Sequence, residues 1–467
     1  MIVKPEDIKK FDNNGLEELF NNKLTENGDI THESSGNKLI DIFFQSEYFS
    51  QHLNEVNIGK SDLEKLLAMF IRDPRFGIGR RDLGRVLMRQ AEVSAENVAK
   101  CGRFDDLWEH PLSEEFNQEW LNYLFSEVKK GNNLAKKWMP HYVGKNKRSR
   151  KVAKSTLMAA KLRKLLGLNK QQYNKLVKVD TVEQKMSDIR FHDIEFDKLP
   201  SLALLKYWAR FGTEKEDKRK DVSKEFAEYL DSVRKGEKKM HMSTATVYDI
   251  YRNKEEIDPD LAFAQIPKIS GSWVAVVDTS GSMHDPNDSY GKALAIGHYL
   301  GKTSTYCPNQ VVSFSSRPRL LTLGSKPVGD GSSAYLNELN SMHTGDYTNT
   351  DFGAVMKLFS GLKDDYPDYI IVLSDQEFDE GASFETSLLL EHWHEAGVKT
   401  KMIWWNLNAR NRTSTQSVKQ DAFGNIFMSG YNPTLLNFLN VGFSMYDFMA
   451  DLLTKYSESI GLQSLNS

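Results

Sequence analysis

Ser272-Trp273-Val274-Ala275-Val276-Val277-Asp278-Thr279-Ser280-Gly281-Ser282-Met283 is the stretch that decides the fold. Its apolar run, 273–277, is short, continuous and Val-rich, which suits a strand buried on both faces of a parallel sheet. The run ends in an aspartate and passes into Asp-x-Ser-x-Ser. Three oxygen-bearing side chains at alternate positions of a tight, Gly-containing loop can turn toward one point, as a hard cation such as Mg²⁺ requires. On its own such a five-residue pattern is more often a helix N-cap loop than a metal site.

Outward from this stretch, strands and helices alternate to the end of the chain. Strands are expected at 273–277, 311–315, 320–323, 369–373, 400–405 and 426–428. Helices are expected at 291–301, 334–339, 352–362, 386–396, 434–439 and 445–457. This alternation predicts a doubly wound, mostly parallel, Rossmann-like sheet, and such sheets bind ligands beyond the carboxyl ends of their strands. Asp278 and Asp375 both stand there, each directly after an apolar strand. A third segment, Tyr347-Thr348-Asn349-Thr350-Asp351-Phe352-Gly353-Ala354-Val355, enters a helix between them.

Asp278-Thr279-Ser280-Gly281-Ser282, the threonine segment and Ile370-Ile371-Val372-Leu373-Ser374-Asp375 together resemble the von Willebrand factor type A (vWA) domain. The match is to its metal-ion-dependent adhesion site (MIDAS), in order, strand context and spacing. The resemblance implies that Ser280, Ser282 and a threonine ligate the metal directly, while Asp278 and Asp375 act through water. Thr350 fits the Thr-Asp-x-Gly-Ala pattern of the intracellular branch and Thr348 the spacing of the adhesion-type branch; Thr350 is favoured. Two carboxylates and three hydroxyls leave a dication short of negative charge, so a position is expected to remain for an outside carboxylate, such as a partner's Asp or Glu.

Other chemistries fit poorly. A haloacid-dehalogenase-type phosphotransferase wants a second Asp where Ser280 stands, and a nucleophile elbow wants Gly at position 278. Gly297-His298-Tyr299-Leu300-Gly301-Lys302-Thr303 is one residue short of a phosphate loop and falls inside a helix. His392 and His394 are two residues apart and point away from each other on a helix. No enzymatic activity is expected.

The first half reads differently. Leu63, Leu66, Leu67, Phe70 and Ile71 recur at helical spacing up to Asp73-Pro74, and further helices are expected at 116–128, 155–166, 171–177, 201–211, 214–235 and 240–252. With no convincing alternation of period two in 60–260, this half is expected to be all-α, with helical pairs stacked like a solenoid. The Gly-spaced connector Arg75-Phe76-Gly77-Ile78-Gly79-Arg80-Arg81 reads as a helix-helix turn, and Trp108, Trp120 and Trp138 as core. Net charge is −3, yet residues 129–179 hold 16 Lys/Arg and no Asp or Glu, so the rest of the chain carries −19. The focus is His141-Tyr142-Val143-Gly144-Lys145-Asn146-Lys147-Arg148-Ser149-Arg150-Lys151. A basic loop with aromatic neighbours neutralises phosphates and stacks on bases; its plainer alternative is a solvated lysine-rich face.

Five further segments resemble the helical (TROVE-type) module of the Ro ribonucleoprotein family, and still more an uncharacterised relative that joins the same two halves. They are Arg72-Asp73-Pro74-Arg75-Phe76-Gly77-Ile78-Gly79-Arg80-Arg81, Gly102-Arg103-Phe104-Asp105-Asp106-Leu107, Lys136-Lys137-Trp138-Met139-Pro140, Leu199-Pro200-Ser201-Leu202-Ala203, and Phe226-Ala227-Glu228-Tyr229-Leu230 followed by Lys235-Gly236-Glu237-Lys238-Lys239. The resemblance implies a HEAT-like helical-repeat ring over 1–265, closed by a vWA domain with a MIDAS over 266–467. It also implies binding of structured small RNA and of RNA 3′ ends. Candidate RNA contacts, chosen on charge alone, are His141, Tyr142, Lys145, Lys147, Arg148, Arg150 and Lys151.

At 467 residues the chain exceeds a single core and calls for two or three domains. No apolar run is long enough to span a membrane, and the first ten residues lack a signal-peptide core, so the expected compartment is the cytoplasm. Cys101 and Cys307 are too few and too far apart for a disulfide framework or zinc spacing. The expected protein is a non-enzymatic RNA-binding scaffold that uses Mg²⁺ or another hard divalent cation. The alternative is a metal-dependent protein-interaction adaptor without RNA binding.

Overall fold

Caps and apolar stripes set the helices of the first half. Ser61 accepts from the Glu64 amide while Glu64 reaches back to the Ser61 amide. The helix Asp62–Arg72 therefore opens in a reciprocal cap, and it buries Leu63, Leu66, Leu67, Phe70 and Ile71. The computed structural model describes residues 1–13, 36–142, 150–179, 181–242, 245–266, 268–315, 317–324, 333–343, 351–360, 365–375, 390–407, 419–420, 426–429 and 445–462. Among them no strand precedes Trp273. The Gly connector is a turn: the Ile78 amide donates to Phe70 O and the Arg80 amide to Ile71 O, bringing in the helix Arg81–Gln90. At Gly77 a side chain would collide with the Phe70 carbonyl, and Gly79 holds φ +79°, so the turn uses both glycines.

Two expected helices are shorter than periodicity suggests. In place of 214–235 the helix is Ser223–Arg234. Upstream, the Asp217 carboxylate accepts from the Arg219 amide and side chain, and Asp221 accepts from the Ser223 amide and hydroxyl. These local bonds offer the backbone a turn instead of a helix. In place of 240–252 the helix is Val247–Asn253, opened by a reciprocal cap between Thr246 and Asp249.

From Trp273 the chain is α/β. Among the described residues seven strands lie in the order β3-β2-β1-β4-β5-β7-β6: β1 Trp273–Asp278, β2 Gln310–Phe314, β3 Arg319–Thr322, β4 Tyr369–Ser374, β5 Lys401–Asn406, β6 Lys419–Gln420 and β7 Ile426–Ser429. β1 pairs in parallel with β2 and β4, β4 with β5 and β5 with β7, while β3 and β6 run antiparallel at the two edges. β1 and β4 are buried at every position, as their unbroken apolar runs require. The chain leaves β1 toward β2 and returns on its other side as β4, so the carboxyl ends of β1 and β4 flank the crevice where strand order reverses.

The phosphate-loop lookalike lies within the helix Ser289–Thr303. Its glycines serve packing: Val277 Cγ2 occupies the space a side chain at Gly297 would need, and Val311 that at Gly301. Gly297→Ala is expected to cost about 1–3 kcal/mol by overpacking the helix against β1. Gly212→Ala, with Phe226 no nearer than 3.8 Å, should cost nothing. Comparing their thermal midpoints with that of the parent checks this.

Among the described residues, helical and sheet parts meet in two places. Near the sheet's start, Tyr248 donates to Asp288, the Tyr335 amide donates to Asp260, and the Phe263 ring packs edge-on against His298. At the other, the helix Met445–Ser459 returns to the beginning of the chain. There the Val3 amide donates to Thr454 Oγ1 at 2.9 Å, Tyr446 donates to Asp12, and Tyr456 reaches buried Asp73 while its ring meets Phe70 edge-on. One continuous apolar core runs through both junctions. No helix among the described residues is long and apolar enough to cross a membrane.

Candidate functional site

Asp278 is the last residue of β1, in register with Phe314 on β2. Its Oδ1 accepts from the Ser280 amide at 2.9 Å, and its Oδ2 from the Ser374 hydroxyl at 2.6 Å. These bonds fix the carboxylate and fold the loop back over it. Ser280 and Ser282 converge, their hydroxyl oxygens 3.2 Å apart, while the Thr279 hydroxyl turns away to donate to Phe314 O. The 3₁₀ turn Gly281–Met283 carries Ser282, and buried Met283 anchors it. Asp375 follows β4 and, like Asp278, is at most 1% exposed.

Burial pushes the Asp278 carboxyl up to about 6, and the neighbouring charge of Asp375 pushes the same way, against the hydrogen bonds from Ser374 and Ser280. Two buried carboxylates near enough for one to raise the other, with two hydroxyl oxygens 3.2 Å apart on the loop after Asp278, form an oxygen-only donor set. That chemistry fits a hard dication, whose charge relieves the repulsion. Among the described residues no cluster of three or more His, Cys, Asp or Glu suits a metal, so hydroxyls must complete any shell here.

The threonine candidates Thr350 and Thr348 lie outside the described residues. Directly after them, the Asp351 amide donates to Ser315 O at 3.0 Å, one residue past the register partner of Asp278. Asp351 Oδ1 then accepts from the Ala354 amide and opens the helix Phe352–Ser360. Sequence reasoning missed Ser374 as the support of Asp278. A hydroxyl directly before Asp375 at the end of a buried strand must find a partner, but which partner depends on β4 lying beside β1.

The basic segment divides in three dimensions. Lys145, Lys147 and Arg148 lie outside the described residues; Arg150 and Lys151 open the helix Arg150–Leu165, and their side chains lie outside them too. Farther along this helix, Lys161 pairs with Glu114 at 2.6 Å and Lys154 approaches Glu109 at 3.8 Å. The stretch is acid-free in sequence and not in space. By contrast, Lys137 and Lys178 make no ion pair among the described residues, and with His141 and Tyr142 they line a cleft of about 390 Å³. Trp120 is buried and Trp108 donates to Trp138 O, so these tryptophans serve packing; the Arg103 guanidinium stacks 3.8 Å from the Trp138 ring centre.

Known families meet on β1. Residues 272–452 match a family described as a domain of unknown function (DUF7788), and residues 132–278 match another (DUF2828). An uncharacterised protein of Acanthamoeba polyphaga mimivirus, L728, is 24% identical over 499 aligned positions, covering 90% of this chain and 84% of its own. The crystal structure of the Deinococcus radiodurans Ro (RSR) protein superposes over 90% of this chain and 93% of its own, with 11% identity and a TM-score of 0.40.

Proposed function

We propose that this chain is a non-enzymatic, cytoplasmic RNA-binding scaffold. Its working units are a helical part, 1–265, that grips structured RNA or RNA ends, and a vWA-type part, 266–467, that closes the assembly or recruits a partner through a metal. The observation that carries the reading is a cleft lined by Lys137 and Lys178, two of the 16 cationic side chains of the stretch 129–179, neither of them in an ion pair among the described residues. The described lining of that cleft contains no carboxylate. Counter-ion release from RNA phosphates gives such a surface its affinity. The Ro resemblance of the segments quoted above agrees with it.

Asp278, Ser280, Ser282 and Asp375, with Thr350, would hold Mg²⁺ or another hard dication. The ion would supply a Lewis-acidic position for an outside carboxylate. A second reading, a metal-dependent adaptor without RNA binding, is favoured by this donor set alone. Affinity of the full chain for a structured small RNA, measured across salt, separates the two. The scaffold reading expects log affinity to fall linearly with log salt, with a slope of about −0.7 to −0.9 per phosphate neutralised. It also expects the slope to flatten when Lys145, Lys147 and Arg148 become alanine. Absent or salt-insensitive binding leaves the adaptor.

A further inference from the structure

We infer that the cleft beside His141 and Tyr142 holds one unpaired nucleotide of single-stranded RNA, with the phosphate on Lys137 and Lys178 and the base against the His141–Tyr142 wall. The inference rests on the RNA-binding reading and assigns it a place. The cleft forms where three elements meet: the end of the helix Asn133–Lys137 with the chain after it, the end of the helix Lys170–Leu176, and the start of the helix Val182–Ser187. At about 390 Å³ it falls in the ~300–1,000 Å³ range of small-ligand sites, so it admits a nucleotide.

Its chemistry is mixed in the way a nucleotide needs. Two ammonium groups engaged in no ion pair among the described residues supply phosphate contacts. The Asn174 side chain, exposed and without a hydrogen bond among the described residues, offers both a donor and an acceptor to a base edge. Gln184 donates through its amide nitrogen to Asp188 at 2.8 Å, which leaves its carbonyl oxygen as an acceptor.

The aromatic wall is built in advance. The Tyr142 hydroxyl accepts from Arg163 Nε at 2.9 Å, and Lys170 sits 4.9 Å from its ring centre. Tyr173 meets the same ring edge-on at 5.9 Å and is itself tied to Pro140 O. The His141 backbone is pinned on both sides by Ser155, which accepts from its amide and donates to its carbonyl. A wall held this way loses little freedom when a base stacks on it. Unpaired bases, unlike those of an A-form helix, expose the face and edge that such a wall reads.

The test uses the full chain and a hexa-uridylate carrying 4-thiouridine, with the matched duplex as control. Expected results are crosslinks mapped by mass spectrometry to the peptide containing His141 and Tyr142, and affinity weakened about ten-fold or more in Lys137→Ala/Lys178→Ala. The thermal midpoint of that variant should match the parent, because neither side chain is buried. Asn174→Ala should change the preference between uridylate and adenylate hexamers. Hexamer binding with crosslinks elsewhere and an unaffected double variant overturns the cleft while the RNA reading stands. Competition by inorganic phosphate at the hexamer's own concentration overturns base recognition in it. Failure of both hexamer and structured RNA to bind overturns the RNA reading itself.

Discussion

Asp106→Ala is expected to cost the fold about 3–5 kcal/mol, the usual result of stranding buried charge. The Asp106 carboxylate accepts from Arg85 Nε at 2.6 Å on one oxygen and from the Arg103 amide at 2.8 Å on the other, which also stands 2.7 Å from Arg72 Nη2 in an ion pair. It thereby ties the helices Asp62–Arg72 and Arg81–Gln90 to the 3₁₀ turn Phe104–Leu107. Both guanidinium side chains are only 3% exposed, so no water replaces the lost partner. Burial works against the Arg85 charge, yet the carboxylates of Asp106, Asp105 and Glu109 outweigh it and raise its pKa. Asp105 stands in a different balance: burial and the like charge of Asp106 raise its carboxyl against the pull of Arg85 and Arg103. Asp105→Ala is therefore expected to cost clearly less than Asp106→Ala. Urea unfolding followed by far-UV circular dichroism measures both. Equal losses, or a loss under about 1 kcal/mol for Asp106→Ala, would show that the network is not what joins these helices.

The same network explains what is legible in the sequence and what is not. Arg72-Asp73-Pro74 and Gly102-Arg103-Phe104-Asp105-Asp106-Leu107 show no purpose in one dimension; in three they are two sides of one buried ion-pair cluster. Strands β1 and β4 are readable because burial on both faces demands continuous apolar runs. Helix ends are less readable, since Asp217 and Asp221 commit their carboxylates to nearby amides and periodicity does not register that. At the candidate metal site, Asp278, Ser280 and Ser282 are local in sequence and fall out of the motif, and Asp375 follows from strand context. Ser374 does not, because its role depends on β4 lying beside β1. The basic stretch misleads in the opposite way: the acids that pair with it, Glu109 and Glu114, come from a loop well upstream, and counting charge along the chain is blind to such pairing.

Asp278→Asn is expected to abolish the effect of a divalent ion on stability. In the parent chain, millimolar Mg²⁺ should raise the unfolding midpoint, because an ion bound only by the folded state stabilises it by about 2.7 kcal/mol at a hundred times its dissociation constant. Such an ion would offset the burial of the Asp278 charge. Burial, reinforced by the charge of Asp375, raises the Asp278 carboxyl to about 6, so above that pH the folded chain carries a carboxylate its surroundings disfavour. A carboxyl raised that far carries a penalty of about 3 kcal/mol at neutral pH. The substituted amide keeps a carbonyl oxygen for the Ser280 amide and presents its nitrogen to Ser374 Oγ, which can accept in place of donating. With chelator at neutral pH, Asp278→Asn should therefore unfold at a higher temperature than the parent. With Mg²⁺ the order should invert, since the parent gains and the variant does not. Calorimetric titration should likewise find ion binding in the parent and none in the variant. If Asp278→Asn is destabilised in chelator and still responds to Mg²⁺, the crevice is a hydrogen-bonded turn at the end of β1 and the donor set has another purpose.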